Sequence, residues 1–181
     1  MARAAVKRPD DCILETERLW LCRINPERDF QRFAETLADA DNVRFIGGAV
    51  MDRNQAWRAM ATLVGHWELR GYGFFSVVRK NEGDHIGRIG PWYPLGWPGR
   101  EVGWTLHPAF HGQGYAEEAG RASIDYAFGE LGWSKVVHVI QHGNTASARL
   151  AEKLGSARID DLDGIPGVTE EPCWLYGQSR P

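Results

Sequence analysis

Residues 106–119 read Leu106-His107-Pro108-Ala109-Phe110-His111-Gly112-Gln113-Gly114-Tyr115-Ala116-Glu117-Glu118-Ala119. The pattern predicts the end of a strand, a tight turn built on two glycines, and the first turn of a helix. Such a turn directs several unpaired backbone N–H groups, and the positive end of the helix dipole, toward one point. That point suits a diphosphate group. Gly112 and Gly114 let the backbone approach an anion because no Cβ stands in the way.

The glycine spacing alone is equally typical of an ordinary strand-to-helix turn, so the rest of the chain has to decide. Hydrophobic periodicity predicts the element order β-α-α-β-β-β-α-β-α-β. The helices are expected at residues 26–37, 53–70, 114–131 and 145–154. The strands are expected at residues 17–24, 72–78, 85–90, 101–106, 135–140 and 173–176. This order predicts an α/β fold with a mixed central sheet and helices on both of its faces.

The strand at 101–106, the helix at 114–131 and the strand at 135–140 should form a parallel crossover. In open sheets of this kind, ligands bind beyond the carboxyl ends of the strands. We therefore expect the strand ends at Leu106 and Ile140 to lie close together at the ligand site.

Two predictions concern the aromatic residues. In the helix at 53–70, Trp57, Met60 and Trp67 are expected on the buried face. The segment 91–99 holds three prolines and three large aromatic residues, so it is no regular element. It forms either a stiff hairpin connection or one wall of a ligand cleft.

The length of 181 residues fits a single domain with its own core. We expect this domain over residues 12–181, after a flexible N-terminal arm of residues 1–11. The formal net charge of −3 provides no basic surface for nucleic acid. No apolar run reaches the length that a membrane span needs, and no signal peptide is recognisable. Cys12, Cys22 and Cys173 are scattered and show no metal-ligand spacing. A cytoplasmic enzyme or binding protein without a metal is therefore predicted.

Two motifs, taken with the element order, resemble those of the GNAT superfamily of acyl-CoA-dependent N-acetyltransferases. The family signature Gln/Arg-x-x-Gly-x-Gly/Ala falls on His111 to Ala116, where Gly114 and Ala116 match and His111 replaces Arg or Gln. The family motif Asn-x-x-Ser/Ala-x-x-Leu/Val-x-x-Lys-x-Gly-Phe is similar to the segment from Asn144 to Ser156, with Ser156 in place of Phe. The resemblance extends from the opening Leu14-Glu15-Thr16-Glu17-Arg18-Leu19 to the last strand. It is closest to the branch that includes ribosomal-protein N-terminal acetyltransferases.

The resemblance implies a GNAT-type sheet that is splayed between the strands at 101–106 and 135–140, with acetyl-CoA as the cosubstrate. The pantetheine arm of coenzyme A would lie in the gap, where it satisfies unpaired backbone groups. Free N–H groups near Thr105, Leu106 and His107 would polarise the thioester carbonyl. The arm would also contact Asn144 and Ser147. The diphosphate would lie over His111, Gly112, Gln113, Gly114, Tyr115 and Ala116.

Transfer to an amine requires a base, because most amines are protonated at pH 7. Glu101 is a candidate because acidic residues on this strand often serve so in the family; alternatively, it is an exposed residue that pairs with Arg100 or Arg88. His107 is a second candidate base, or else only a turn residue before Pro108.

The identity of the general acid is open. Many relatives carry a tyrosine where this chain has Ala151, and that tyrosine is the usual proton donor to the departing thiolate. Ser147 is the candidate for the general acid or for holding a water in that role. Alternatively, its hydroxyl contacts coenzyme A without taking part in the chemistry.

The predicted function is that of an N-acetyltransferase that transfers acetyl directly to a primary amine in a ternary complex, since no cysteine lies near the motifs. A peptide or protein N-terminal amine is the favoured acceptor by resemblance. The alternatives are a small amine, such as an antibiotic, a polyamine or an amino acid, and a non-catalytic acyl-CoA-binding module. A nucleotide-binding protein that uses only the glycine turn agrees less well with the motif at Asn144. The oligomeric state, a homodimer included, stays open.

Overall fold

The computed structural model describes residues 6–47 and 49–181. Residues 1–5 of the predicted N-terminal arm therefore lie outside the described residues. Within them, eight strands form one sheet in the order β1-β2-β3-β4-β5-β6-β8-β7. The strands are β1 (Cys12–Glu15), β2 (Leu19–Cys22), β3 (Phe75–Arg79), β4 (His85–Trp92), β5 (Glu101–Leu106), β6 (Lys135–Gln141), β7 (Ala157–Leu162) and β8 (Cys173–Ser179).

The helices follow the predicted order, with two short additions. They are α1 (Pro26–Ala38), α2 (Ala40–Val43), α3 (Arg53–Arg70), α4 (Tyr115–Gly129) and α5 (Thr145–Lys153), and a 3₁₀ turn spans Pro108–Phe110. Among the described helices, none combines the length and the hydropathy that a bilayer span requires.

The sheet opens between its two parallel strands. β5 runs parallel to β6, and across the described residues their ladder has one register pair, Glu101 with Val137. β5 pairs with β4 over the whole length of β5, from Glu101–Trp92 to Leu106–Gly87. The predicted splay between residues 101–106 and 135–140 is thereby confirmed, and so is the mixed sheet.

Helices cover both faces of the sheet. On one face, α4 packs against β2, β4, β5 and β6, and its Ala119 shares a core with Ile89. Trp92 is three residues beyond Ile89 and so projects from the opposite face. There it joins the core that α1 and α3 form around Phe74. The two layers are those that the element order predicts.

Helix α3 is fixed at its ends by local sequence signals and along its length by packing. Asp52 caps its start in a capping box with Gln55, and Gly71 ends it with a φ of 75°. Met60 and Trp67 are buried as predicted, but the side chain of Trp57 is 51% exposed. Trp57 lies at the border of the buried stripe, where it packs edge-on against Phe30 at 5.0 Å between ring centroids.

Two edge strands differ from the sequence prediction. In place of one strand at 17–24, β1 and β2 form an antiparallel pair around the turn at Thr16. β7 is almost fully exposed and rich in charged residues, so it lacks the alternation that identifies a half-buried strand. Its backbone nevertheless pairs with β8.

The packing of α4 against α5 depends on Gly120. A Cβ added there would lie 2.9 Å from Cδ1 of Leu154, which is itself buried. Gly65 in α3 offers a matched comparison, since a Cβ there would meet no atom within 4 Å.

We predict that Gly65→Ala raises the free energy of unfolding by about 0.5–1 kcal/mol, because alanine loses less backbone entropy in a helix. Gly120→Ala should lower it by about 1 kcal/mol, because overpacking against Leu154 outweighs the same gain. Urea denaturation of both variants checks this. Equal stabilisation of the two would contradict a tight α4–α5 contact.

Candidate functional site

Two cavities meet where the sheet opens. The turn cavity, of about 650 Å³, lies along residues 111–117 and one side of α5. The aromatic cavity, of about 610 Å³, lies between β5, the loop at 92–97 and helix α3. Six residues line both cavities and form a shared wall, namely Phe45, Ile46, Trp104, Thr105, Asn144 and Ser147.

The glycine turn at Gly112 and Gly114 lines the turn cavity. Gly112 and Gly114 adopt φ values of 72° and 80°, which L-residues with a Cβ rarely reach. Gly114 is the N-cap of α4, and no described side chain caps that end of the helix. The N–H groups of the first turn are thus directed at the cavity without a protein acceptor. The site fits an anion such as a diphosphate.

Arg18 lies next to this site, although it lines neither cavity, and the sequence reasoning missed it. Its Nε donates to Glu118 Oε2 at 2.6 Å, and its Nη1 donates to the Gln113 carbonyl at 3.0 Å. The guanidinium lies 4.5 Å from the centre of the Tyr115 ring. A cation therefore stands beside the turn, although Arg18 is far away in the chain.

His111 itself, which replaces the family's Arg or Gln, takes another role. Its Nε2 donates to the Leu106 carbonyl at 3.0 Å and so ties the turn to the end of β5. His111 still lines the turn cavity, together with Gly112, Gly114 and Tyr115. Ala116 lines it as well.

Two predicted cofactor contacts, His107 and Gln113, lie outside the walls of both cavities. The N–H of His107 donates to the Ile86 carbonyl at 2.9 Å, so it is not one of the free donors that were expected. The ring of His107 accepts from the N–H of Ala109. Gln113 donates its side-chain amide to the Ala109 carbonyl.

The opening of the sheet is held by two side chains. In a continued parallel ladder, the N–H of Val139 would donate to the carbonyl of Val102. Instead, His138 Nδ1 donates to the Val102 carbonyl at 2.6 Å, and the N–H of Val139 donates to Glu101 Oε1 at 3.2 Å. Each strand thus satisfies the first unpaired group of the other, and the two backbones separate.

The second ring nitrogen of His138 forms a hydrogen bond with Ser156, the serine at the end of the second motif. The hydroxyl of Ser156 donates to His138 Nε2 at 2.9 Å, and Ser156 Oγ accepts from Gln178 Nε2. Burial lowers the pKa of His138 to about 4, so the ring is neutral at pH 7. A phenylalanine at this position would provide no hydroxyl for the ring.

Beyond this point, the free backbone donors differ from those expected. The bond from His107 to Ile86 sets the alternation, which turns the backbones of Thr105 and His107 toward β4. The N–H groups of Trp104 and Leu106 face the gap by the same alternation. A bound amide chain would meet these two groups.

Glu101 is buried in the wall of the aromatic cavity, with 7% of its surface exposed. Its Oε2 accepts from Trp97 Nε1 at 2.6 Å. It forms no ion pair with Arg100 or Arg88, so the alternative of a surface pair does not describe it. Burial raises the pKa of Glu101 to about 7, against the hydrogen bonds that favour the charged form.

Ser147 stands at the shared wall, and its hydroxyl donates to no group in the part of the chain that the structure describes. Its Oγ accepts from Trp104 Nε1 at 3.2 Å, and its N–H donates to Asn144 Oδ1 at 3.1 Å. Asn144 is the N-cap of α5 and also lines both cavities. The indole N–H polarises the hydroxyl of Ser147, which makes that hydroxyl a better donor.

The position of the family's tyrosine is filled by core packing. Ala151 is fully buried and packs with Ile140, Ala148 and Tyr176. Of the tyrosines in the described residues, Tyr115 alone lines either cavity, and it lies at the turn. A phenol is therefore missing from the shared wall as the structure describes it.

The sequence profile of the acetyltransferase (GNAT) domain matches residues 18–157. The chain belongs to the GNAT acetyltransferase family. This GNAT domain is accordingly an acetyl-CoA-dependent N-acetyltransferase, as the two motifs predicted. It is 28% identical to the uncharacterized N-acetyltransferase YnaD of Bacillus subtilis (strain 168) over 145 residues, which are 80% of this chain and 82% of the relative.

Solved structures agree with this GNAT fold. The acetyltransferase from Agrobacterium tumefaciens str. C58 superposes with a TM-score of 0.80 at 26% identity, covering 99% of this chain and 100% of that one. The ribosomal-protein-S5-alanine acetyltransferase from Vibrio fischeri gives a TM-score of 0.64 at 20% identity over 93% of this chain and 98% of that one. At that identity, the second comparison shows the fold alone.

The neutral state of His138 generates a prediction about stability and pH. Its pKa is lower in the folded chain than the usual 6.5, so stability falls as the pH drops from about 6.5 toward 4. The loss is at most about 1.4 kcal/mol per pH unit. His138→Asn keeps an N–H donor for Val102 but does not titrate, so its stability should fall less steeply.

Urea denaturation of both proteins at pH 7, 6 and 5 measures the difference. Other buried groups, such as His85, contribute equally to the two proteins and cancel. Parallel pH dependences would contradict a neutral, buried His138.

Proposed function

We propose that this domain acetylates a primary amine by direct transfer, with acetyl-CoA in the turn cavity and the amine in the aromatic cavity. The observation that carries the proposal is the shared wall. There, Ser147 and Trp104 face the point where the two substrates would meet. Glu101 stands on the acceptor side of that wall.

The cosubstrate side matches the parts of acetyl-CoA in order. The diphosphate fits the uncapped end of α4, beside the cation of Arg18. The pantetheine arm fits the gap, where its amides pair with the backbone of β5. An N–H of Trp104 or Leu106 directed at the thioester oxygen would stabilise the developing charge by about 3 kcal/mol.

The acceptor side supplies the base. A carboxyl with a pKa of about 7 is half ionised at neutral pH, so Glu101 can take a proton from an ammonium group, directly or through a water. Ser147, polarised by Trp104, would assist the thiolate as it leaves. Only modest assistance is needed, since a thiol pKa is about 8.5.

A cysteine relay is disfavoured, although Cys173 does line the aromatic cavity. The thiol is buried and donates to the Glu171 carbonyl, and burial raises its pKa. A thiol that resists ionisation is a poor nucleophile. Direct attack by the amine is therefore the proposed route.

The acceptor is proposed to be a peptide or protein N-terminal amine, by resemblance to the ribosomal-protein branch, or a small amine. Acetyl transfer is tested by thiol release from acetyl-CoA against peptides and small amines, with mass detection of the products. Tight coenzyme A binding without turnover of any amine would favour a non-catalytic module. Binding of ATP but not coenzyme A would favour a nucleotide-binding protein.

Gly114→Glu should abolish coenzyme A binding, because its side chain places a negative charge where the diphosphate is expected. Gly132→Glu is the control for the backbone conformation, because Gly132 also has a positive φ but lies outside both cavities. A Cβ at Gly132 would meet no atom within 4 Å, whereas one at Gly114 would lie 3.3 Å from Arg18 Nη2. Calorimetric titration with coenzyme A measures both. An unchanged affinity in Gly114→Glu would refute the assignment of the turn.

Glu101→Gln should lower kcat/KM about 10²–10⁴-fold, since the base is lost. Trp97→Phe should leave the base in place but remove a hydrogen bond that lowers its pKa. The acidic limb of the pH–rate profile, near pH 7 in the parent enzyme, should then shift to higher pH. A profile that neither variant alters would remove Glu101 as the base.

A further inference from the structure

The aromatic cavity contains a cation that no protein group neutralises by contact. Arg88 lies on β4 and lines this cavity. Its guanidinium stacks over the Phe74 ring at 4.3 Å from the centroid. Within residues 6–47 and 49–181, no acceptor lies within hydrogen-bonding distance of it, and it joins no ion pair.

The fold places Arg88 and the proposed base, Glu101, on the same face of the sheet. The register pairs Arg88 with Thr105 and Trp92 with Glu101, so these four residues share one face of the sheet. Between the two pairs lies the pair of Gly90 and Gly103, which has no side chains. Four residues along a strand span about 13–14 Å. This face thus carries a cation at one end and a carboxyl at the other, and the Phe74 ring lies over the glycine between them.

The glycine in β5 keeps this arrangement open. A Cβ at Gly103 would lie 3.1 Å from Cζ of Phe74 and 3.3 Å from Oε1 of Glu101. Phe74 could not then hold its place beneath the guanidinium. The ring covers one flat face of Arg88 and leaves the edge, with its N–H donors, free for a planar partner.

Two other half-buried arginines of this chain have carboxylate partners. Arg28 pairs with Asp11 and Asp29, and Arg79 pairs with Asp84. Burial lowers the pKa of Arg88 to about 10, so it stays charged at pH 7. Arg88 is half-buried, and a ring face accepts none of its in-plane N–H groups, so these donors face the cavity without a protein acceptor among the described residues.

We propose that Arg88 binds a carboxylate of the acceptor, and that the acceptor is an amino carboxylate whose amine lies toward Glu101. The inference rests on the proposed function and deepens it. A guanidinium fork matches a carboxylate in a bidentate pair. The carboxyl of Glu101 in the same cavity disfavours ligands with a greater negative charge.

The probes are matched pairs that differ in one charge. One arm compares free amino acids with their carboxamides, and the other compares short peptides that begin with Asp or Glu with those that begin with Asn or Gln. Thiol release should give a kcat/KM about 10–100-fold higher for the carboxylate member in at least one arm. The responding arm identifies the source of the carboxylate.

Variants of Arg88 test whether the preference for carboxylate substrates depends on this residue. Arg88→Met retains a side chain on Phe74 and should lower kcat/KM about 100-fold for the carboxylate member but less than about 3-fold for the amide, mainly through KM. For the carboxylate member, the kcat/KM of Arg88→Lys should lie between those of the parent enzyme and Arg88→Met, because lysine keeps the charge but lacks the forked guanidinium. Arg100→Met is the control, because Arg100 is exposed and lies outside both cavities.

Equal use of carboxylates and amides by the parent enzyme overturns the inference, and so does an equal loss for both in Arg88→Met. If no amine is acetylated, the proposed function fails, and calorimetric titration of the same pairs with coenzyme A present decides the inference alone. Carboxylate binding that disappears in Arg88→Met supports it, and no such binding overturns it. If Arg88→Met does not fold, the same comparison of carboxylate with amide is made in Arg88→Lys, and an equal loss for both there overturns the inference.

Discussion

The break in the ladder between β5 and β6 is the constraint on which the site depends. Separating two strands inside a protein leaves polar groups unpaired, at a cost of about 1–3 kcal/mol each. Here the first two such groups, on Val102 and Val139, are satisfied by His138 and Glu101. The strands can therefore diverge, and the next N–H groups, on Trp104 and Leu106, face the gap between them.

The same interaction prepares the chemistry. Glu101 accepts the N–H of Val139 and is buried by doing so, and burial is the main reason why its pKa rises toward 7. The indole of Trp97 holds the second oxygen and connects the aromatic loop to the strand. One carboxyl thus satisfies an unpaired N–H group at the opening of the sheet and anchors a wall of the cavity, and in the proposed function it accepts a proton.

Where this chain departs from the family motifs, other contacts in the fold involve the substituted residues or their neighbours. His111 ties the turn to β5, and Arg18 supplies the cation beside it. Ser156 exchanges the family's phenylalanine for a hydroxyl that bonds His138. Ala151 has become part of the core, while the polarised hydroxyl of Ser147 stands at the wall that both cavities share.

The glycine turn, the long helices and the crossover from β5 to β6 were predictable from the sequence, because neighbours in the chain and regular periodicity encode them. The edge strands β1 and β7 were not, because exposure erases the apolar alternation. The sequence also did not predict how Arg18 contacts the turn or how Trp97 contacts Glu101. It predicted neither the orientation of the free N–H groups nor the unpaired charge of Arg88. These depend on register and burial, which bring distant residues together only when the sheet and its helices are assembled.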